Sequence, residues 1–365
     1  MKKITYLSLE KNVLINGIGG ASHIKGVIST LLIHYNVTYM GHATHFLKGL
    51  YDNLSFQECG RRFYWDVLKA IFTDNETDVF LIRKTLVGMY LLIPIILLKK
   101  IIRPKQVFIL EFNGISGDYS GKSIAFSRVM LFFNALPLIF YDGVYCVLDD
   151  IANRLKSVYN SRKIFVCPNG GPKQSKKMPN ITTCERVNLI YYGSDLAHYH
   201  LHWCASKVDE YNKETSADVR LILVGPYNEN VIADCVKKVS ARPAKEFQSF
   251  VASLDGKVFG LVPLNLSESS NTIEPIKTFD YLSANLPIIH SSACLNGFDS
   301  AKVCFMYKPD KPDSFSKLLN EITALTPLEV KKLYKSVFQE YTAYTWPNRL
   351  KKLVEVIDHE DKKRS

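Results

Sequence analysis

Short apolar segments of strand length alternate along the chain with longer segments in which apolar residues recur every three or four positions. In the first half, the strand-like segments lie at 4–9, 36–40, 78–83, 106–111, 142–148 and 163–168. Segments with helical spacing lie between several of them, at 24–34, 86–102 and 149–159. Because strands and helices alternate, we predict a parallel sheet with right-handed crossover connections.

The alternation breaks at 169–172, where Asn-Gly-Gly-Pro is followed by a polar stretch, 173–186, rich in Lys, Ser and Thr. We interpret this stretch as an interdomain linker. Strand-like segments then return at 187–192, 218–225 and 259–264. The sequence therefore predicts two Rossmann-like domains, 1–172 and 187–340. A C-terminal helical segment, 341–365, is expected to pack back on the first domain.

The predicted fold class is α/β, with the two Rossmann-like domains facing a cleft. The length of 365 residues suits two domains rather than one. Ligands of open parallel sheets bind at the carboxyl ends of the strands. Two such sheets would present their ligand-binding edges to a shared cleft, so we expect the substrates to bind there.

Charge and cysteine usage narrow the class of protein. The formal net charge of +11 suits an anionic partner, such as phosphate groups, an anionic membrane face or nucleic acid. The eight cysteines form no C-x-x-C pair, which is typical of free thiols in a reducing compartment. The first residues lead directly into a strand-like segment and do not resemble a secretion signal. We expect a cytoplasmic protein, and the absence of a nucleic-acid-binding motif disfavours nucleic acid.

The longest apolar run, Leu86 to Leu98, contains Gly88 and Pro94 and is shorter than the ~18 residues that a membrane-spanning helix needs. We expect a buried core helix. Four basic residues between 99 and 105 favour a second interpretation, a surface that docks on the anionic inner face of the cell membrane. The basic and aromatic segment Arg61–Trp65 could serve the same purpose.

The segment Pro275–Ile289 carries the most specific chemistry in the sequence. It places Lys277 and Asp280 on one helix face at the start of an amphipathic segment, and a Pro and an apolar strand follow. Lysine and a helix N-terminus both bind anions, so a phosphate-bearing ligand is the natural guest. An ordinary ion pair between the two side chains is the alternative.

The glycine-rich turn 17–20 precedes the first predicted helix. Its Gly-x-Gly-Gly pattern lacks the full dinucleotide fingerprint, so contact of Gly19 with a ligand is left open. His23 follows on the helix. A single histidine there is more often a capping or surface residue than a functional one.

Four sequence pieces together resemble the GT-B glycosyltransferases. They are Gly19-Gly20 with His23, the segment 189–194 (LIYYGS), the segment 221–225 (LILVG), and the segment 260–264 (GLVPL) followed by 275–289. The resemblance is firmest over 187–290. The chain is similar to the bacterial transferases that build capsule, O-antigen and exopolysaccharide. Among these, it is similar to the xanthan-type glucuronosyltransferases.

The resemblance implies that the second domain binds a nucleoside-diphosphate sugar such as a UDP-sugar. Lys277 would neutralise the diphosphate, and Asp280 would take the place of the glutamate that binds the ribose. Gly193 would let the backbone approach the diphosphate, and Ser194 would donate to it. Gly19 would cap the cleft from the other side. Such enzymes use no cofactor, and we expect no metal.

Two acids in the loop 265–274, Glu268 and Glu274, are candidates for contact with the donor sugar. Retaining members of the family carry two acids eight positions apart, but counting back from Asp280 gives Thr272. Inversion therefore stays open, and inversion needs a general base in the first domain. Glu111, at the end of a predicted strand, and Asp118, just beyond it, are the candidates.

The function implied is transfer of a sugar from a nucleotide donor to a hydroxyl of a glycan, expected to be lipid-linked, in surface polysaccharide synthesis. The enzyme would be a hexosyl- or glucuronosyltransferase, peripheral on the inner face of the membrane. The missing family acid at Thr272 leaves two alternatives open. One is a non-catalytic relative that binds a sugar nucleotide or glycan, and the other is a sugar-nucleotide epimerase.

Overall fold

The structure is a computed structural model. It describes residues 1–10, 14, 18–115, 124–159, 161–181, 185–193, 199–225, 233–240, 242–264, 274–291 and 303–362. The chain divides into two compact units. The first unit comprises Met1–Asn169 and Arg349–Ser365, and the second comprises Gly170–Asn348.

The first unit contains a parallel sheet with seven strands in the described residues. They are β1 (Lys3–Ser8), β2 (Asn36–Gly41), β3 (Leu54–Glu58), β4 (Val79–Arg83), β5 (Val107–Phe112), β6 (Gly143–Cys146) and β7 (Ile164–Val166). Their order across the sheet is β3-β2-β1-β4-β5-β6-β7. Every residue of β4 and β5 is buried, so both faces of the sheet centre are covered. Such burial explains why these strands are nearly continuous apolar runs.

Helices connect these strands. They are α1 (Ile18–Leu31), α2 (Phe63–Thr73), α3 (Leu86–Leu91), α4 (Ile93–Ile102), α5 (Ile124–Ala135) and α6 (Asp149–Val158), with 3-10 segments at Thr44–Phe46 and Leu136–Phe140. The predicted helix 86–102 is thus two helices, since Pro94 is accommodated in the first turn of α4. No helix in the described part of the chain is both long and apolar enough to cross a membrane.

The second unit contains a second parallel sheet, with six strands in its described residues. They are β8 (Arg186–Tyr192), β9 (Asp218–Val224), β10 (Val236–Val239), β11 (Lys257–Val262), β12 (Ile288–Ser291) and β13 (Cys304–Tyr307), in the order β10-β9-β8-β11-β12-β13. Its helices are α7 (Leu201–Thr215), α8 (Ala244–Ser253), α9 (Lys277–Ser283), α10 (Pro312–Ala324) and α11 (Pro327–Glu340). A 3-10 segment (Tyr341–Tyr344) and the short helix α12 (Trp346–Arg349) follow.

The last helix, α13 (Lys351–Lys362), returns to the first unit. Lys2 Nζ lies 3.1 Å from Asp358 Oδ1, and the Tyr35 hydroxyl donates to the same carboxylate at 3.0 Å. These contacts fix α13 beside β1 and the end of α1.

The polar stretch 173–186, predicted as a linker, belongs to the second unit. Asn285, buried and left-handed with φ 64°, donates from its amide to the carbonyls of Ser175 and Lys177, both at 3.0 Å. Gln174 in turn donates to Asn285 at 2.9 Å. The start of the stretch is therefore held against the end of α9, and the chain passes between the units earlier, at 169–170.

Candidate functional site

The position of α9 is set by the contact of Tyr281 with Gly260 of β11. The Tyr281 ring occupies the space that a side chain at Gly260 would fill. Its hydroxyl donates to the Leu261 carbonyl at 3.1 Å and accepts the Tyr192 N–H at 2.8 Å. Because Tyr281 bonds to two adjacent strands, α9 is fixed over the carboxyl edge of the second sheet.

Lys277 lies at the start of α9, against the end of β8. Its Nζ is 3.7 Å from the centre of the Tyr191 ring and 3.6 Å from that of Tyr199, so two aromatic faces hold the ammonium. A Cβ added at Gly193 would lie 3.4 Å from this Nζ. Gly193 has φ 135°, a conformation that side chains disfavour, and follows directly on β8. The Gly193 N–H donates to the Val224 carbonyl at 3.0 Å, so the charge of Lys277 is what this edge offers a phosphate group.

Asp280 lies one turn after Lys277 and is 6% exposed. Within the described residues its carboxylate forms no hydrogen bond, which is unusual for a buried acid. Burial raises the pKa of Asp280 to about 7, although the Lys277 charge acts to lower it. Burial also raises the pKa of Tyr192 and Tyr341, and the Asp280 carboxylate adds to both shifts. Asp280 is thus a buried acceptor with unused hydrogen-bonding capacity.

Part of the N-terminal turn of α9, predicted as an anion site, is hydrogen-bonded within the chain. The Thr278 amide donates to the Pro275 carbonyl at 3.0 Å, and those of Phe279 and Asp280 donate to the Ile276 carbonyl at 2.9 and 3.3 Å. These first-turn donors are therefore already used, and the helix has only seven residues. These three amides are therefore not available to an anion, and the side chain of Lys277 is the cation that α9 offers.

The other predicted donor-site residues are partly described. Glu274 is buried, 7% exposed, just before α9. Gly19 lies in the first turn of α1. Ser194 and Glu268 lie outside the described residues. The structure thus brings Gly193, Lys277 and Asp280 to one edge of the second sheet, with Glu274 next to them in sequence.

A second polar cluster lies at the carboxyl edge of the first sheet. Arg83, Glu111 and Tyr145 end neighbouring strands, and Glu111 is in register with both of the others. Register partners in a parallel sheet face the same side. Arg83 donates to Glu111 at 2.9 Å, and Tyr6 of β1 donates to its second oxygen at 2.8 Å. His23 Nε2 lies 3.0 Å from Glu111 Oε1.

His23 thereby has a structural place that its position in the sequence did not reveal. It is buried, its Nε2 also lies 3.3 Å from the Tyr145 hydroxyl, and its Nδ1 lies 2.7 Å from Oδ1 of Asn169. It is neither a capping nor a surface residue, the two roles that the sequence favoured.

The prediction that Glu111 is the general base is not supported by these surroundings. The carboxylate is fully buried and also accepts from Asn113. Burial alone would raise the pKa of Glu111, but the charge and hydrogen bond of His23, with Arg83 and Tyr145, bring it well below its usual range. A base must reach the acceptor hydroxyl and take its proton, and Glu111 is arranged for neither. The other candidate, Asp118, lies outside the described residues.

Sequence reasoning missed Arg83, Tyr145, Tyr191 and Tyr199. The signal for Arg83 was available, because a charged residue ends an apolar strand next to the strand that ends in Glu111. The two tyrosines around Lys277 gave no comparable signal. Their contact depends on how the chain turns after β8.

Solved structures with the same architecture span the whole chain. The lipopolysaccharide outer core galactosyltransferase WaaB, in apo form, is 10% identical with a TM-score of 0.66 and covers 98% of this chain and 99% of its own. Anabaena HepE, in complex with UDP and glucose, is 10% identical with a TM-score of 0.68, covering 98% and 100%. A trehalose-6-phosphate synthase, described in a study of glycosyl transfer with retention, is 9% identical with a TM-score of 0.66, covering 98% and 99%.

At these identities the likeness shows the fold alone. The predicted α/β class, with two Rossmann-like domains of the GT-B type, is confirmed. No protein-family model matches the chain. No curated protein sequence matches it either.

Proposed function

We propose that this protein is a glycosyltransferase that moves a sugar from a UDP-sugar to a hydroxyl group of a glycan. The observation that carries the proposal is the group formed by Lys277, Gly193 and Asp280 at the carboxyl edge of the second sheet. It offers a cation beside a glycine and a buried carboxylate, and these match the diphosphate and ribose of a nucleotide sugar. The likeness of fold to HepE, solved with UDP and glucose, supports UDP as the nucleotide.

Lys277 would act on the leaving group. In the transfer, the bond between the anomeric carbon and the diphosphate oxygen breaks, and the departing UDP gains negative charge. A fixed ammonium stabilises that charge most strongly where water is excluded. Tyr191 and Tyr199 hold Lys277 at 3.7 and 3.6 Å, so its charge needs little rearrangement as the reaction proceeds. We propose on this basis that no metal is required.

Asp280 would accept a hydrogen bond from a ribose hydroxyl. Its carboxylate is buried and uses none of its hydrogen-bonding capacity within the described residues, so a ligand hydroxyl would relieve an unfavourable burial. Gly193, which has no side chain, would leave room beside Lys277 for the diphosphate.

On the acceptor side we propose that the Glu111 cluster is a rigid support for the carboxyl edge of the first sheet. Asp118 remains the candidate base if the reaction inverts. The anomeric configuration of the product decides this: inversion would support Asp118, and retention would remove the need for a base there. The retaining trehalose-6-phosphate synthase with a similar fold makes retention a realistic result.

We further propose that the enzyme acts in a bacterial surface polysaccharide pathway and uses a lipid-linked acceptor. Two observations support it, the formal charge of +11 and the fold shared with a lipopolysaccharide galactosyltransferase. Whether the donor sugar is a hexose or a glucuronic acid is a question for the assay. An anionic glucuronosyl donor would benefit more from the basic charge.

The test is UDP release from a panel that includes UDP-glucose, UDP-galactose and UDP-glucuronic acid, with and without glycan acceptors. We expect release of UDP from one of these donors. This release should be stimulated by acceptor and unchanged by EDTA. Loss of activity with EDTA would overturn metal independence. Donor binding without turnover would identify a non-catalytic relative. Conversion of the donor sugar without acceptor would identify an epimerase.

A further inference from the structure

Helix α4 (Ile93–Ile102) turns apolar side chains outward and a lysine inward. Lys99 is buried, and its ammonium donates to the Asp74 carbonyl at 2.6 Å and to Asn75 Oδ1 at 3.1 Å. The exposed side chains of the helix include Leu97, Leu98, Ile101 and Ile102. Ile101 is 79% exposed. The expectation of a buried core helix is therefore wrong for this side of α4.

Helix α5 and the 3-10 segment after it present a second exposed apolar stripe. Val129, Phe132, Phe133 and Leu136 are each 44% to 52% exposed, and their spacing places them on one helix face. Ile139, in the 3-10 segment, is also exposed. A stripe of this kind is normally the buried side of a surface helix. Here it faces outward, without a partner in the described chain.

The two stripes belong to one surface, which we call the apolar face. Helix α4 contacts the 3-10 segment, and Lys100 near its end forms an ion pair with Asp142 at 2.8 Å. The Tyr90 hydroxyl, at the end of α3, donates to the Phe133 carbonyl at 2.8 Å. Exposed apolar side chains grouped on neighbouring elements in this way are typical of an interaction site.

Exposed basic residues lie next to both stripes of the apolar face. Between Lys84 and Tyr141 the sequence has seven Lys or Arg residues and two acids, and of the basic residues Lys84 and Lys99 are buried. Of the acids, Glu111 is buried within its own cluster. Exposed Arg103 and Lys105 follow α4 directly, and exposed Arg128 precedes the α5 stripe. Exposed apolar side chains next to exposed basic residues are the complement of a membrane surface that carries anionic lipids.

We propose that the apolar face docks the protein on an anionic lipid bilayer. The exposed side chains of α4 and α5 would enter the boundary between headgroups and acyl chains, and Arg103, Lys105 and Arg128 would contact the lipid phosphates. A second copy of the chain is a poorer occupant, because two such basic faces repel one another. The proposal does not depend on the proposed function, because binding can be measured without donor or acceptor.

The test is co-sedimentation of the full chain with vesicles of phosphatidylcholine alone or mixed with phosphatidylglycerol. We expect binding to the mixed vesicles that weakens with added salt. The double variant Leu98→Glu with Ile101→Glu should bind at least tenfold more weakly, because both side chains are already exposed and leave the fold intact. Leu328→Glu, at a 63% exposed leucine of α11 in the second unit, is the matched control and should bind as the unaltered protein does.

Charge is tested separately with Arg103→Gln and Lys105→Gln, against Lys331→Gln and Lys332→Gln in α11 as controls. Each basic residue near an anionic membrane contributes about 1 kcal/mol, so the pair should reduce binding to the mixed vesicles by more than tenfold. Equal binding to both vesicle types would overturn the anionic preference. Unchanged binding of the double α4 variant would overturn the docking surface. A shift from dimer to monomer in that variant, without vesicle binding by the parent, would show that a second copy covers the face.

Discussion

The two sheets each have a buried carboxylate near their carboxyl edge, and the two carboxylates differ in every contact. Glu111 in the first unit receives hydrogen bonds from Tyr6, Arg83 and Asn113 and lies 3.0 Å from His23. Asp280 in the second unit receives none within the described residues. Surroundings lower the pKa of Glu111 well below its usual range and raise that of Asp280 to about 7.

The difference separates a supporting residue from a binding residue. A carboxylate whose oxygens already accept hydrogen bonds within the protein stabilises it and is not available to accept hydrogen bonds from a substrate. A buried carboxylate with unused capacity destabilises the protein until a ligand arrives, and strongly perturbed groups of this kind concentrate at functional sites. The comparison therefore supports our proposal that the donor binds at Lys277 and Asp280 and that Glu111 has a positioning role.

The largest expected effect is on stability, from Glu111→Gln. The change removes one of the two carboxylate partners of buried Arg83, which keeps Glu10, and it also removes the charge beside His23. Breaking a buried pair in this way typically costs about 3–5 kcal/mol. The control Glu76→Gln removes a highly exposed pairing with Lys3 and should cost less than about 1 kcal/mol. Urea denaturation measures both. A Glu111→Gln protein of normal stability but without activity would restore Glu111 as the base.

The same cluster predicts a pH dependence. Because the folded-state pKa of Glu111 is lowered, its contribution to stability is present above the ordinary carboxyl pKa and is lost as the pH falls below it. Unfolding midpoints of the parent should therefore drop between pH 5 and 3 more steeply than those of Glu111→Gln. Parallel curves would show that the cluster contributes no pH-dependent stability.

A smaller effect is expected from Gly260→Ala. An added methyl group would meet the Tyr281 ring, and overpacking of this kind typically costs about 1–3 kcal/mol. Since Tyr281 fixes α9, donor affinity should fall together with stability. Gly60→Ala, where the added carbon would be 3.4 Å from the Asp66 carboxylate at an exposed turn, is the control. A loss of stability with unchanged donor affinity would separate α9 from the donor site.

The smallest effect is the pH dependence of donor binding through Asp280. A raised carboxyl pKa means that Asp280 disfavours the folded state increasingly as the pH rises from 3.8 through about 7. A ribose hydroxyl would bond best to the ionised form, so affinity for UDP-glucose should rise about tenfold between pH 6 and 8. Asp280→Asn should flatten this rise and stabilise the ligand-free protein at pH 8. A rise that persists in the variant would assign it to another group.

The sequence predicted the sheets better than the sites. Apolar runs such as 78–83 and 106–111 form β4 and β5, because a strand buried on both faces needs no alternation. Three edge strands were missed: β3 and β10, because Leu54–Glu58 and Val236–Val239 are half polar, and the four-residue β13. The partners of Glu111 come from four distant segments, β1, α1, β4 and β6, and only the folded sheet with its packed helix brings them together. Apolar residues lie on both sides of α4, so the sequence pattern could not show that the side carrying Lys99 is the buried one.

Binding of the donor diphosphate by Lys277 is tested by calorimetric titration of UDP-glucose into the parent, Lys277→Met and Lys245→Met. Lys245 is the control because it is an exposed lysine in the first turn of α8. We expect Lys277→Met to weaken binding by about 1.5–3 kcal/mol, the size of a hydrogen bond to a charged group, and Lys245→Met to leave it unchanged. Equal affinity of all three proteins for UDP-glucose would contradict it.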